Sequence, residues 1–438
     1  MRAIPPDGLP VPPQSVAEQL NLGCFCISLD RRELADALDR AVRSEGFAAR
    51  LGASHPTLFS NVPVFVPSEM LAQMMLIVGA VEEAARLPAY RAAALAYAPL
   101  SARQDFGPLG AFMGYDFHLA SDGPKLIEVN TNAGGAFLNA LLAGAQRACC
   151  PEDRFAVRAP TESDFAERVA RMFVAEWQRQ RSKGRPALIA IVDDMPEKQH
   201  LYPEFQLAQD LLEKQGIRAV IVDPAQMVYD GQKLTAEGQV IDLVYNRLVD
   251  FSLDEPRHAA LKAAYLQGAV VVTPSPHVHA LLADKRNLSL LSDDARLEDW
   301  GLPAAYRAVL RNGLPQTVVV TRANSEDLWR ERRNLFFKPA RGHGSKAAYR
   351  GDKVTRRVWD EIVSGEYVAQ TFAAPTVRNA TVAGESIALK TDIRLYTYAG
   401  ELLLAAARLY QGQTTNMRTP GGGFAPVLQV TDSGPSPE

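Results

Sequence analysis

A chain of 438 residues is long enough to bury more than one core, and two or three domains are expected. With 47% hydrophobic residues, 22% charged residues and a net charge of −3, nothing global points to nucleic acid or to an anionic membrane. The most apolar run, Met74 to Val81, stops at Glu82-Glu83, far short of the ~20 residues a membrane span needs.

The N-terminus, MRAIPPDGLPVPP, lacks the apolar stretch of a signal peptide. Cys24, Cys26, Cys149 and Cys150 form neither a disulfide framework nor a zinc spacing, so reduced thiols in a cytoplasmic protein are expected. From Val16 to Tyr97 apolar residues recur at three- and four-residue spacing, which predicts helices over 33–52 and 68–87, with Ser68 as an N-cap. Residues 111–135, AFMGYDFHLASDGPKLIEVNTNAGG, read as a hairpin, followed by a small-residue helix over 137–148. A further helix runs from Glu162 toward Arg181. ALIAIVD (187–193), an amphipathic helix, IRAVIVD (217–223), a hairpin at 240–248 and AVVVTPSP (269–276) then read as a small doubly wound sheet. Strands TVVVT (317–321), LFFKP (335–339) and YVAQTF (367–372) follow. The divisions expected are an N-terminal segment 1–35, a helical region with the hairpin 36–182, a sheet domain 183–283, a lid subdomain 284–375, and a closing sheet and tail 376–438.

Alternation puts Asp116 and His118 on one face of the hairpin and Glu128 and Asn130 on one face of its second strand. A three-residue Ser121-Asp122-Gly123 loop makes those faces the same, so Asp116, Glu128 and Asn130 converge. Two carboxylates and an amide oxygen suit a hard divalent cation that bridges to phosphates. Asn130 to Gly135 opens the next helix, whose N–H groups would lie beside that cation. In the third region Lys338 ends a buried strand, and Arg341-Gly342-His343-Gly344-Ser345-Lys346 is a turn with flanking cations that can wrap phosphate. Residues 330–357 carry ten Lys or Arg against Glu331 and Asp352, a charge that suits a small polyanion. Gln370-Thr371-Phe372 would clasp a flat base through backbone groups. A three-residue turn at 399–401 aligns Asp392, Arg394 and Arg408 for a transferring phosphoryl group. Asn416 and Arg418 add an amide and a cation before a glycine run, and Arg247 follows a strand of the middle region.

Together these segments resemble the ATP-grasp superfamily: a Lys-bearing strand, a Gly-rich loop, an adenine-clasping strand, Asp-x-Arg, a later Arg, Asn before glycines, then Asp-Phe and Glu-x-Asn. In most members the last two come at the end. Here they lie about two hundred residues upstream, an order that resembles the circularly permuted glutathione synthetases of eukaryotic type and the glutathionylspermidine synthetases. The resemblance implies an α/β fold, a circularly permuted ATP-grasp with an inserted Rossmann-like substrate-side domain. It implies an ATP-dependent carboxylate–amine ligase working through an acyl phosphate, with ATP and Mg2+, small-molecule carboxylate and amine substrates, and a homodimer left open. Lys285, Lys338 and the 341–346 turn would contact nucleotide, Gln370, Thr371 and Phe372 adenine, and Asp116, Glu128 and Asn130 magnesium. Arg394 and Arg408, with Asn416, would steady the acyl phosphate, and Asn132, Arg247 and Arg418 would meet substrate. Tyr115 stands where many relatives have arginine. A phosphotransferase and a catalytically silent nucleotide-binding regulator remain open as alternatives.

Overall fold

Distant parts of the chain build one seven-stranded sheet in the computed structural model, which describes residues 15–25, 27–148, 162–342 and 347–430. Cys26, Cys149, Cys150 and the turn residues His343, Gly344, Ser345 and Lys346 lie outside the described residues. The strand order is Val64–Pro67, Gly423–Val430, Glu401–Tyr410, Glu385–Tyr398, Met113–Ala120, Gly123–Asn130, with Thr376–Val382 also paired to Glu385–Tyr398. Antiparallel pairing sets Arg394 opposite Asp116, 278 residues away in sequence.

Both central hairpins reach the expected alignment by an unexpected route. Ala120 pairs with Gly123, so the first turn has two residues rather than three. That register alone would put Asp116 and Glu128 on opposite faces, because side chains alternate. A bulge, with Ile127 as the extra residue, shifts the ladder by one and sets Asp116 opposite Glu128. In the second hairpin Tyr398 pairs with Glu401 across Ala399 (φ 50°) and Gly400 (φ 78°), positive values that suit a tight two-residue turn. Leu403 is the extra residue there, and Asp392 ends up opposite Arg408. The same shift turns Ile127 toward the cavity described below, whereas Tyr115, Phe117 and Leu126 face the core.

One face of this sheet is covered by helices Ser68–Arg86 and Ala304–Gly313, which bury Met74, Val78, Ile77 and Leu310 against Tyr115, Phe117, Ile393 and Leu395. Ser68 is the first helical residue, Pro67 holds the cap position, and no side chain caps that end. On the other face a continuous core runs from Tyr396, Leu404 and Phe424 through helix Ala136–Gly144 to Ile189, Ile191 and Tyr245. The latter belong to a four-stranded parallel sheet ordered Val271–Thr273, Leu243–Asn246, Leu188–Val192, Arg218–Val222. The hairpin expected at 240–248 is therefore absent. Leu243–Asn246 is a central parallel strand buried on both faces, which its apolar run permits, and Gln239–Val240 pairs instead with Leu234–Ala236. A third sheet, Thr317–Val319, Tyr367–Thr371, Leu335–Pro339 and Tyr349–Arg350, holds the Lys338 strand.

Two buried ions fasten these layers. Arg378 donates to the carbonyls of Pro63 (2.7 Å), Asn21 (2.9 Å) and Cys24 (2.6 Å), the last two at the C-terminal end of helix Val16–Gly23. Asn21 itself exchanges two hydrogen bonds with the Phe65 backbone, extending the sheet edge. Glu176, on helix Glu162–Arg181, accepts from the N–H groups of Leu109 (2.8 Å) and Gly110 (3.0 Å), from Tyr398 Oη (3.0 Å) and from Thr273 Oγ1. Burial pushes its pKa up against the pull of those donors. Replacing Glu176 with alanine leaves two buried N–H groups unsatisfied, at about 1–3 kcal/mol each. We expect Glu176→Ala to lower unfolding free energy by about 2–5 kcal/mol in denaturant titration. A loss below about 1 kcal/mol would mean that water replaces the carboxylate.

Candidate functional site

The seven-stranded sheet, the sheet that holds Lys338 and the loops beside them line a cavity of about 280 Å³. Asp116, Glu128, Asn130, Lys285, Lys338, Gln370, Phe372, Arg394, Arg408 and Asn416 all border it, so most residues singled out in sequence meet in one place. Gly342 borders it as well, and its carbonyl accepts from Lys285 Nζ at 3.2 Å.

Asp116 is the hub. Its carboxylate is 1% exposed and takes Arg394 Nε at 2.6 Å, Arg394 Nη2 at 2.7 Å, Arg408 Nη2 at 2.8 Å and Asn130 Nδ2 at 3.1 Å. Burial opposes its charge, but the two guanidinium groups outweigh burial and hold the carboxyl well below the usual range. Arg408 also donates to Asp392 at 2.6 Å, and Thr415 Oγ1 donates to the other Asp392 oxygen at 2.5 Å. The resulting chain Arg394–Asp116–Arg408–Asp392 fixes both arginines at the cavity wall. Asp116, expected as a metal ligand, thus has both oxygens engaged. Because an ionised Asp116 accepts only, Asn130 must present its amide nitrogen there, which leaves Asn130 Oδ1 as an available acceptor.

Across the bulge, Lys285 Nζ lies 3.1 Å from Glu128, and Lys338 Nζ donates to the Ile127 carbonyl (2.6 Å) and to Gln370 Oε1 (2.8 Å). Burial lowers the Glu128 charge preference, but Lys285 and Lys338 more than restore it and its pKa falls. Lys338 is pushed down to about 8 by burial, with Lys285 adding repulsion against the pull of Glu128. Four cations, Lys285, Lys338, Arg394 and Arg408, therefore surround one small space that a polyanion would neutralise. Phe336 and Phe372, 6.5 Å apart and 17° from parallel, form an aromatic wall beside Lys338, whose Nζ lies 5.7 Å from the Phe336 ring. The Phe336 contribution follows from strand alternation with Lys338 and was not singled out in sequence.

Other expectations change. The N–H groups of Thr371 and Phe372 bond to Gln316 and Asn334 carbonyls, so those donors cannot clasp a base; Gln370 is buried and holds Lys338 instead. The helix after Gly135 has no free N-terminus toward the cavity, because Glu204 accepts from Gly135 N (2.6 Å) and Phe137 N (3.3 Å). Its signal lies about seventy residues downstream and could not be read locally. Arg247 is buried against Phe205 and Tyr245, donates to Tyr245 Oη at 3.2 Å, and borders neither this cavity nor its neighbour. Asn416 borders the cavity, but its amide bonds within its own loop, to Gln411 O and from Thr419 Oγ1, and Arg418 is exposed. Position 115 faces the core, so an arginine there would not reach the site. The basic stretch is also less repulsive than its sequence suggests: Arg332 and Arg356 each lie 3.9 Å from the Trp329 ring, and Arg350 pairs with Asp352 at 3.0 Å. Arg341 stands 3.7 Å from Asp284.

A second cavity of about 210 Å³ adjoins the first and shares Asn130, Lys285, Gly342, Arg394 and Arg408 with it. Its far wall holds Phe251 and His279, stacked 3.7 Å apart, and Asn132.

No protein-family model and no curated protein matches the sequence. Among solved structures, the apo form of a glutathione synthetase-like effector from Globodera pallida matches 91% of this chain and 97% of its own, with 12% identity and a TM-score of 0.54. A protein assigned by name to gamma-glutamylcysteine synthetase, from Methylobacillus flagellatus, covers 82% of this chain and 88% of its own at 11% identity and a TM-score of 0.47. The ATP-grasp ligase PsnB, complexed with a minimal precursor, Mg and ADP, covers 56% of this chain and 89% of its own at 15% identity and a TM-score of 0.29. Among the described residues no helix is long and apolar enough to cross a membrane, and the comparisons give no support to the homodimer left open above.

Proposed function

We propose, for a chain whose fold is of the ATP-grasp type found in a glutathione synthetase-like protein, that the larger cavity activates a carboxylate with ATP and joins it to an amine. The observation that carries this reading is the meeting of the Glu128–Asn130 strand with Lys338, Arg394 and Arg408 around one space, although Ile127 and Lys338 are 211 residues apart in sequence. The circularly permuted order, a Rossmann-like reading of the parallel sheet, the domain divisions given above and a cytoplasmic setting belong to the same proposal.

The donor set fits a nucleotide triphosphate and its metal. Lys285 and Lys338 would contact phosphates, and the wall of Phe336 and Phe372 would meet the base. Glu128 and the free Oδ1 of Asn130 would hold magnesium, which supplies neutralisation of phosphate charge. Asp116 then acts by fixing Arg394 and Arg408 rather than as an unengaged ligand. A carboxylate oxygen of the substrate attacks the γ-phosphorus of ATP, the bond to ADP breaks, and an acyl phosphate forms. Arg394 and Arg408 stabilise the charge on the transferring group and on the later tetrahedral oxygen. The amine attacks the acyl carbon, loses a proton, and inorganic phosphate leaves with the amide formed.

Screening ADP release against pairs of carboxylates and amines, with magnesium, tests this. ADP release that needs both partners supports ligation. Release with a phosphorylated acceptor, or none with any pair, would contradict it. Lys338→Met keeps the stem and removes the charge, and we expect it to weaken nucleotide binding roughly tenfold to a hundredfold, the value of a charge-assisted hydrogen bond. An unchanged affinity by calorimetric titration would remove Lys338 from the phosphate site.

A further inference from the structure

The smaller cavity differs from the larger one in its charge. Asp116 and Glu128 border the larger, whereas among the described residues no carboxylate borders the smaller. Its cations, Lys285, Arg394 and Arg408, stand at the boundary the two cavities share. Beyond them the walls are neutral: Thr131, Asn132, Val249, Phe251, His279 and Ala283. Phe251 and His279 are 7° from parallel, a flat double layer whose imidazole is tied to Thr131 Oγ1 at 2.8 Å. Burial, with Lys285 and Arg341 adding repulsion, pushes His279 down to about 3, so the ring is uncharged at neutral pH. Asn132 donates to the Arg247 and Leu248 carbonyls, and its Oδ1 is buried without a partner among the described residues.

We infer that the smaller cavity takes the carboxylate substrate, and that this substrate is a small acid with a flat body and no positive charge. The acid group belongs at the shared cations, next to the phosphate space. A flat body lies against the Phe251–His279 layer, where aromatic contacts add about 0.5–1.5 kcal/mol beyond area burial. A free ammonium would meet no carboxylate among the described residues of these walls, so its charge would go unpaired there. At about 210 Å³ this cavity is smaller than the one beside it, so the acid is smaller than the nucleotide placed there. This inference rests on the ligase reading only in calling the occupant a substrate; the binding preference needs no turnover.

The test is calorimetric titration of the full chain with magnesium and a non-hydrolysable ATP analogue present. The probes are N-benzoylglycine and phenylalanine, which share a ring and a carboxylate but differ in the free ammonium. N-benzoylglycine should bind at least about tenfold more tightly. Phe251→Ala should weaken N-benzoylglycine by about tenfold while leaving analogue affinity intact, which also reports the fold. Val249→Asp, at a position 44% exposed, should narrow the preference by giving the ammonium a partner. Phenylalanine binding as tightly as N-benzoylglycine, no binding of N-benzoylglycine, or an unchanged Phe251→Ala affinity would each overturn the inference. Failure of the analogue to bind strikes the proposed function instead, and the comparison of the two acids is still read.

Discussion

Asp116→Ala is expected to damage both stability and turnover. The carboxylate is buried and takes four hydrogen bonds from Arg394, Arg408 and Asn130. Without it two buried guanidinium groups face each other uncompensated, apart from the Arg408–Asp392 pair. Removing one partner of such a network typically costs about 3–5 kcal/mol. Loss of the fixed arginines should lower the rate of ADP release by roughly 10²–10³, as for one displaced oxyanion donor. Asp116→Asn keeps the volume and separates charge from packing. Because the folded pKa lies below the ordinary value of about 3.9, the ionic contribution is fully present above that value and is lost as pH falls toward the folded one. The stability gap between wild type and Asp116→Asn should therefore close below about pH 4. A constant gap down to pH 2, or a cost under about 1 kcal/mol at pH 7, would show that the ion pairs contribute little.

Arg378→Ala should cost as much stability without touching the cavity. Arg378 is fully buried, and its guanidinium bonds carbonyls of residues 20, 21, 24, 63 and 379 while lying 5.6 Å from the Phe65 ring. Truncation strands several buried carbonyls and opens a cavity, a combination that puts the expected loss at about 3–5 kcal/mol. Arg378→Lys restores charge but not the fork that reaches both the helix end and Pro63, so it should recover less than half. Equilibrium unfolding reads both variants. Nucleotide affinity at low denaturant should stay near wild type, and a variant within about 1 kcal/mol of wild type would mean that water takes over the carbonyls.

Strand parity read from the sequence places Asp116, Glu128 and Asn130 together, yet it does so through a three-residue loop that the structure lacks. Two one-residue errors cancel, since each hairpin has a two-residue turn and one bulge. No local signal marks Ile127 or Leu403 as the extra residue, because a bulge is fixed by what both strands must bury. Lys338 was legible as a charge closing an apolar run, and LFFKP is the observed strand. Partners far along the chain were not legible: Glu204 closing the 136–144 helix, Gln370 holding Lys338, and Asp116 saturated by two arginines. Phe251 and His279 each sit in unremarkable loop and helix text, and their stacking exists only after the sheet and the Asn132 strand end meet.

The central claim is that the Glu128–Asn130 strand and the Lys338 strand serve one magnesium nucleotide. Affinity for a non-hydrolysable ATP analogue, titrated with and without magnesium in wild type, Glu128→Gln, Lys338→Met and the double variant, tests it most directly. Glu128→Gln should abolish most of the magnesium dependence, and the double variant should lose less than the sum of the single losses, since both act on the same phosphates. Magnesium dependence unchanged in Glu128→Gln, with the two losses strictly additive, would place the strand and the lysine in separate sites and contradict the account.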